Sequence, residues 1–307
     1  MYIEKRRIGR SIKYYLVYSY REKGTVKKIR RYLGMNLSEE GLNKSQLEAG
    51  KQIKLELERL NTAVFDFKLS KKQIERLNRY EKKVNVYHLR GWDWQQFTEN
   101  FTYNTNAIEG STVQLGEVPL ILHKKKVANA EEMETRGVAS AVGFIRSTNE
   151  DLSLKLIKKL HNLCFQGSKP FAGEFRNVEV VIKDGKGEIV HRGVPLSQLE
   201  YKLKDLIEWY RKNKNKFKPL VLSAIIHNQF EHIHPFQDGN GRVGRLLLNF
   251  ILLKNKYPPI NISLEDRAEY YQTLQEYHKN QTLAPSMRFL VKQYKKTLRQ
   301  VTTKRKN

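Results

Sequence analysis

The sequence predicts a mainly α-helical protein with a small β-rich extension at its N-terminus and one β-hairpin among the later helices. Three observations lead there. Residues 220–226 and 246–253 are apolar runs of helical character on either side of a glycine-rich turn. Residues 12–20 and 25–33 are rich in Tyr, Val and Ile, the composition of strands. Residues 178–182 and 188–191 flank Lys183-Asp184-Gly185-Lys186-Gly187, which is hairpin chemistry in an otherwise helical context.

Taken in order, residues 1–36 read as a basic hairpin or small meander, with Arg21-Glu22-Lys23-Gly24 as the turn. Residues 37–99 read as a helical connector. Leu37-Ser38-Glu39-Glu40 resembles a capped helix start, and Ile53, Leu55, Leu57 and Leu60 offer an apolar stripe. Residues 100–295 form the helical core, and residues 296–307 a basic, frayed tail.

Lys and Arg number 57 against 32 Asp and Glu, for a formal charge of +25. Such a balance favours anionic partners: nucleotides, nucleic acid or acidic protein surfaces. In residues 1–34 alone, eleven Lys and Arg face two Glu, interleaved with Tyr2, Tyr14, Tyr15, Tyr18, Tyr20 and Tyr32. That mixture suits base stacking with phosphate pairing, so residues 1–36 are a candidate nucleic-acid surface. The single cysteine, Cys164, rules out an internal disulfide framework and reads as a small hydrophobe in a reducing compartment. No secretory h-region follows the basic N-terminus, and the longest apolar runs are too short to span a bilayer. A cytoplasmic protein without a membrane partner is the expectation.

The densest chemistry lies in His234-Pro235-Phe236-Gln237-Asp238-Gly239-Asn240-Gly241-Arg242-Val243-Gly244-Arg245. A Gly-Asn-Gly turn lets backbone N–H groups approach phosphate oxygens, and the following helix adds the positive end of its dipole. Arg242 and Arg245, three apart, share one side of that helix's first turn. By spacing, His227, His232 and His234 lack the further ligands of a metal site, and His227 and His232 read as helix-packing residues.

Every fixed position of this segment agrees with the Fic family signature, His-Pro-Phe-x-(Asp/Glu)-Gly-Asn-Gly-Arg-x-x-Arg. The chain thus resembles a Fic domain, and the expected fold is a Fic-type helical core with a β-hairpin flap. The resemblance implies transfer of AMP from ATP to a protein hydroxyl. His234 would be the base, a role its titration range suits. Asn240 with the amides of Gly239 and Gly241 would form the anion hole. Arg242 would hold the α- and β-phosphates and Arg245 the γ-phosphate, as guanidinium forks suit oxyanions. Asp238 would hold Mg²⁺, which takes hard oxygen ligands.

Upstream, Thr105-Asn106-Ala107-Ile108-Glu109-Gly110 is similar to the Fic inhibitory pattern, (Ser/Thr)-x-x-x-Glu-(Gly/Asn), in the class that carries it on an N-terminal helix. The resemblance implies that Glu109 pairs with Arg245 and turns ATP into an unproductive pose. Gly173-Glu174-Phe175-Arg176-Asn177-Val178-Glu179-Val180 resembles the entry to the Fic flap. There a target, including a second copy of the chain, would dock near residues 178–191 as an added strand. Tyr270-Tyr271 sits where relatives carry base-pocket aromatics, which makes Tyr271 a nucleotide contact. His278 stands where relatives often place Asn against adenine, a departure from the pattern.

The reading is therefore a Mg²⁺- and ATP-dependent protein adenylyltransferase restrained by Glu109. Removal of AMP, and transfer of another nucleotide or phosphate group, remain as alternatives of the same class. A nucleic-acid-binding regulator with a nucleotide-sensing core is the alternative from another class, and a homodimer is left open.

Overall fold

The computed structural model describes every residue except 23–24, 62, 65–66, 85–88, 90–91, 184–186 and 303–307. The chain divides into two compact units, Met1–Ala63 with Lys68–Lys71 and Val64–Phe67 with Lys72–Asn307.

In the first unit three antiparallel strands, β1 (Tyr2–Ile8), β2 (Ser11–Glu22) and β3 (Thr25–Met35), form a meander in that order. Of the expected alternatives the meander is realised; the sequence assigns no strand to β1 itself, where Lys5, Arg6 and Arg7 interrupt the apolar alternation and Ile3 reaches the buried cluster of this unit. The expected turn at residues 21–24 is corrected in its first half: Arg21 and Glu22 continue β2, opposite Val26 and Thr25, while residues 23–24 lie outside the described residues. Helix α1 (Glu39–Asn61) starts as expected, with Ser38 Oγ accepting from Gly41 N at 3.2 Å. It is not a bare connector. Ala49 and Ile53 on α1 share one buried cluster with Leu16, Ile29 and Leu33 of the sheet. Tyr14, Tyr18 and Tyr20 pack partly buried against that cluster, so these three rings serve a core instead of a stacking surface. The side chains of Leu55, Leu57 and Leu60 lie outside the described residues.

The short strands β4 (Ala63–Val64) and β5 (Phe67–Lys68) pair with each other, and α2 (Lys71–Asn78) follows. In the second unit come α3 (Trp94–Ile108), α4 (Val118–His123), α5 (Ala130–Ser147) and α6 (Leu154–Phe165). The flap is an antiparallel pair, β6 (Val181–Lys183) and β7 (Ile189–Arg192), with Ile182 opposite His191. It is shorter at its entry than expected, and residues 184–186 of its turn lie outside the described residues. Next are α7 (Leu196–Asn213), α8 (Pro219–Ile233), α9 (Asn240–Lys254), α10 (Arg267–Asn280) and α11 (Ala284–Thr302).

Helices α8 and α9 are buried on nearly every side, as their apolar sequences require. They pack on each other with α5, α6, α7, α10 and α11 around them. The frayed tail is corrected here. Residues 295–302 continue α11, because Met287, Leu290, Tyr294 and Val301 extend a buried stripe at helical spacing through a lysine-rich sequence. No helix among the described residues is long and apolar enough to cross a membrane.

Candidate active site

The site lies where α8 ends and α9 begins. His234 caps α8 in a left-handed conformation, φ 54° and ψ 62°, and the chain turns there into the glycine-rich loop. Its Nδ1 lies 3.3 Å from the carbonyl oxygen of Glu231. Burial holds the imidazole's pKa down at about 4, so the ring is neutral at physiological pH.

The loop closes through Asn240. Its side chain accepts from Phe236 N and donates to Phe236 O, both at 2.8 Å. The carboxamide is thus committed to loop geometry, and the donors turned outward are those of the backbone. Gly239 begins α9 with φ 82°, and a Cβ there would stand 2.3 Å from the Phe165 ring. Only glycine satisfies both conditions. The first amides of α9 have no partner within the helix, which makes this terminus an anion seat.

His161 supports the loop from below. It is fully buried, accepts from Gly173 N at its Nδ1 (2.8 Å) and approaches Asp238 O with its Nε2 (3.1 Å). Its ring stacks on Phe236 at 3.9 Å, and burial lowers its pKa to about 4. The bond from Gly173 fixes the neutral tautomer with Nε2 protonated.

Around the anion seat the charges are paired. Asp238 faces Lys169 Nζ at 3.2 Å and Arg242 Nη2 at 3.6 Å, and it accepts from Gly239 N at 2.6 Å. Burial opposes ionisation of this carboxyl, but Arg242, Lys169 and the Gly239 amide outweigh it and hold the pKa below the usual range. Its side chain keeps 45% exposure, so one hard oxygen donor remains reachable from solvent. One carboxylate beside a phosphate seat fits the way Mg²⁺ binds, since that ion takes most of its other ligands from phosphates and water. Arg242 is buried over the Phe165 ring at 4.3 Å and donates to Glu134 of α5.

Arg245, 1% exposed, donates through Nε to Thr105 Oγ1 at 2.7 Å and through Nη2 to Thr105 O at 2.9 Å. The same Nη2 meets Glu109 Oε1 at 2.7 Å. Glu109 reaches it from the C-terminus of α3, beside Gly241. A Cβ at Gly241 would lie 2.2 Å from Glu109 Oε1, so the glycine makes room for that carboxylate. Below Arg245 lie Tyr270, whose hydroxyl meets His227 Nε2 at 3.0 Å, and Glu231, whose pKa burial raises to about 8. His227 is a packing residue, as expected. Tyr271 donates to the carbonyl of Ile108 at 3.3 Å, next to Glu109.

A residue that sequence reasoning passed over ties the flap to His234. Arg176, 5% exposed, donates through Nε to His234 O at 2.8 Å and through Nη1 to Val178 O at 2.9 Å. Its Nη2 donates to Val194 O at the far leg of the flap. Glu134 and Lys169 carry no local signal in the sequence, and Arg176, although it lies in the flap-entry segment, gains its role from His234 and Val194, partners far along the chain. His232 packs as well, against the rings of His191 and His278. Its Nδ1 faces His278 Nδ1 at 3.2 Å, and the His278 ring stacks on His191 of β7 at 3.8 Å.

The fold and this loop are similar to those of Fic domains: residues 151–252 match the family described as Fic/DOC. It is 33% identical over 188 residues to protein adenylyltransferase fic-1 of Caenorhabditis elegans, covering 57% of this chain and 35% of that protein. It is 29% identical over 206 residues to protein adenylyltransferase Fic of Nematostella vectensis, covering 64% of this chain and 47% of that one. The chain thus spans about a third to a half of the length of these curated relatives. Among solved structures, C. elegans Fic-1 superposes with a TM-score of 0.61 at 24% identity, over 87% of this chain and 78% of that chain. A Fic-domain signaling protein from Bacteroides thetaiotaomicron gives 0.61 at 23% identity, over 74% and 96%. The mainly α architecture with its small N-terminal sheet is the fold the sequence predicted.

Proposed function

We propose that this chain is a Mg²⁺- and ATP-dependent protein adenylyltransferase, held in check by Glu109. One observation carries the reading. A neutral imidazole, an open helix N-terminus and two arginines converge at one loop, and a carboxylate already occupies one of the arginines. The names of the relatives support the same reaction.

A Ser, Thr or Tyr hydroxyl of the target is the nucleophile. An N–H at His234 Nδ1, facing the Glu231 carbonyl, leaves Nε2 as the basic nitrogen. As the hydroxyl oxygen bonds to the α-phosphorus, the bond from that phosphorus to the pyrophosphate oxygen breaks, and the hydroxyl proton passes to Nε2. The first amides of α9 and the Arg242 guanidinium meet the charge that develops on the phosphoryl oxygens. Asp238 is the residue that would hold Mg²⁺, and the ion, when bound, supplies neutralising charge on the phosphates. Asn240 contributes by shaping the loop.

Glu109 removes from Arg245 the vacancy a γ-phosphate needs, so the triphosphate settles out of line. The same carboxylate beside the site suits a second activity, alignment of water for AMP removal. The target docks along the flap and can be a second copy of this chain. Tyr271 borders the base pocket. A nucleic-acid role for residues 1–36 draws less support, because three of the six tyrosines there turn toward α1. The single, buried Cys164 accords with a cytoplasmic setting.

Intact-mass analysis after incubation with ATP and Mg²⁺ tests the reading. Glu109→Gly should gain the mass of AMP faster than the parent, and His234→Ala should gain none. Equal labelling of parent and Glu109→Gly would remove the restraint from the proposal, and a different mass increment would change the transferred group.

A further inference from the structure

We propose that His191, His232 and His278 form a binding site for a divalent transition-metal ion of the zinc type, joining the flap to the helical core. The three come from elements far apart in the sequence: strand β7 of the flap, the last turn of α8 and the last turn of α10. One ring nitrogen from each lies within 4.8 Å of the other two.

The spacing suits coordination. Nitrogens bound to a tetrahedral zinc at about 2.0–2.1 Å stand about 3.3–3.4 Å apart. The Nδ1 atoms of His232 and His278 already face each other at 3.2 Å. No separation exceeds that span by more than about 1.4 Å, and coordination turns the His278 ring about its broad χ2 well, out of its stack on His191, so that its lone pair converges with the other two.

A second feature is the orientation of His191. Its Nε2 lies 2.8 Å from the carbonyl oxygen of His232, the backbone contact that characteristically fixes the tautomer of a metal-bound histidine. With the proton held there, Nδ1 carries the lone pair. Three neutral imidazoles select zinc-type ions over Mg²⁺, which prefers hard oxygens. His232 also lines a cavity of about 160 Å³ with Gln229, Gln198 and Tyr277, large enough to hold water beside the cluster.

The three ligands do not include Asp238, and binding of the ion is measured without adenylyl transfer. A bound ion would pin β7 against α8 two residues before His234, so metal loading would set how far the flap opens.

The test uses the full chain, free of any affinity tag and stripped with chelator. Zn²⁺ is titrated in competition with a chromophoric chelator, and Co²⁺ binding is followed by its visible absorption. The expected result is one ion per chain with the intense spectrum of four-coordinate cobalt. Affinity should fall at least about tenfold in His191→Ala and in His278→Gln, and stay unchanged in His123→Ala, a histidine on the exposed end of α4. Two ligand variants guard against a folding defect in one, and the cobalt spectrum of the parent reads the site without either. No competition with the chelator, a six-coordinate cobalt spectrum, or binding that survives both substitutions would overturn the proposal.

Discussion

Glu109 Oε1 lies 2.7 Å from Arg245 Nη2, across 136 residues of sequence, and the guanidinium it meets is 1% exposed. The pair is asymmetric. Arg245 is also held by both oxygens of Thr105, whereas the Glu109 side chain keeps 27% exposure. A buried guanidinium with its counter-ion removed is costly, and a carboxylate at the rim is the partner that can leave. Burial disfavours the charge on Arg245, but Glu109 and the neighbouring tyrosines outweigh it and raise its pKa.

Removing that counter-ion should therefore show in stability as well as activity. We expect Glu109→Gly to lose about 3 kcal/mol of unfolding free energy without nucleotide, the order of cost for a broken buried ion pair. Saturating ATP with Mg²⁺ should restore most of it, since a γ-phosphate replaces the carboxylate and binding to the folded state stabilises by mass action. Chemical denaturation with and without nucleotide measures both. A stable apo variant with no nucleotide response would show that Arg245 does not need an anion.

Arg176 is the second pivot. Its guanidinium bridges the carbonyls of His234, Val178 and Val194, so Arg176→Ala leaves three acceptors without their donor. A loss of about 2–4 kcal/mol is expected. Hydrogen exchange should speed up at Gly193 and Val194, whose amides bond to Val180 O and Ile233 O, while α8 above His234 stays protected. Uniform protection across the flap in the variant would refute a positioning role for Arg176.

Acid should destabilise the folded chain well above the carboxylate range. His161 and His227 are fully buried with pKa values lowered to about 4 and about 3, so as pH falls through about 6.5 the unfolded state takes protons first. Their contribution is fully present above pH 6.5 and is lost toward the folded values, at about 2 kcal/mol each by about pH 5. His191, His234 and His278 shift in the same direction. Glu231 and Glu81, raised to about 8 and about 7, act oppositely, because the burial of each is relieved as it gains a proton below that pH. Five histidines outweigh two glutamates, so the melting temperature should drop between about pH 7 and pH 5. A flat or rising profile would contradict the assignment of neutral buried imidazoles.

The legible part of the protein was the part written contiguously. The loop between His234 and Arg245 needs its residues in order, since a glycine at φ 82°, a helix N-terminus and arginines on one helical face are local conditions. The capped start of α1 and the flap hairpin were legible for the same reason. The strand β1 and the end of α11 were missed because cations obscure their periodicity. In the site, the committed carboxamide of Asn240, the Glu134 partner of Arg242 and the support from His161 were hidden, since each is a meeting of residues from separate elements.

By itself, then, the sequence placed an imidazole, a glycine-rich helix start, a carboxylate and two arginines within twelve residues, on a mainly helical chain rich in cations. Tertiary structure decided which charges face each other. It brought α3 to α9 so that Glu109 covers Arg245, and it folded the flap over α8 so that Arg176 spans both legs beside His234. It also gathered His191, His232 and His278 at one point. The physical reason is range. Backbone conformation and helix dipoles act over a few residues and are encoded in consecutive letters, whereas burial and ion pairing depend on distances that packing alone creates.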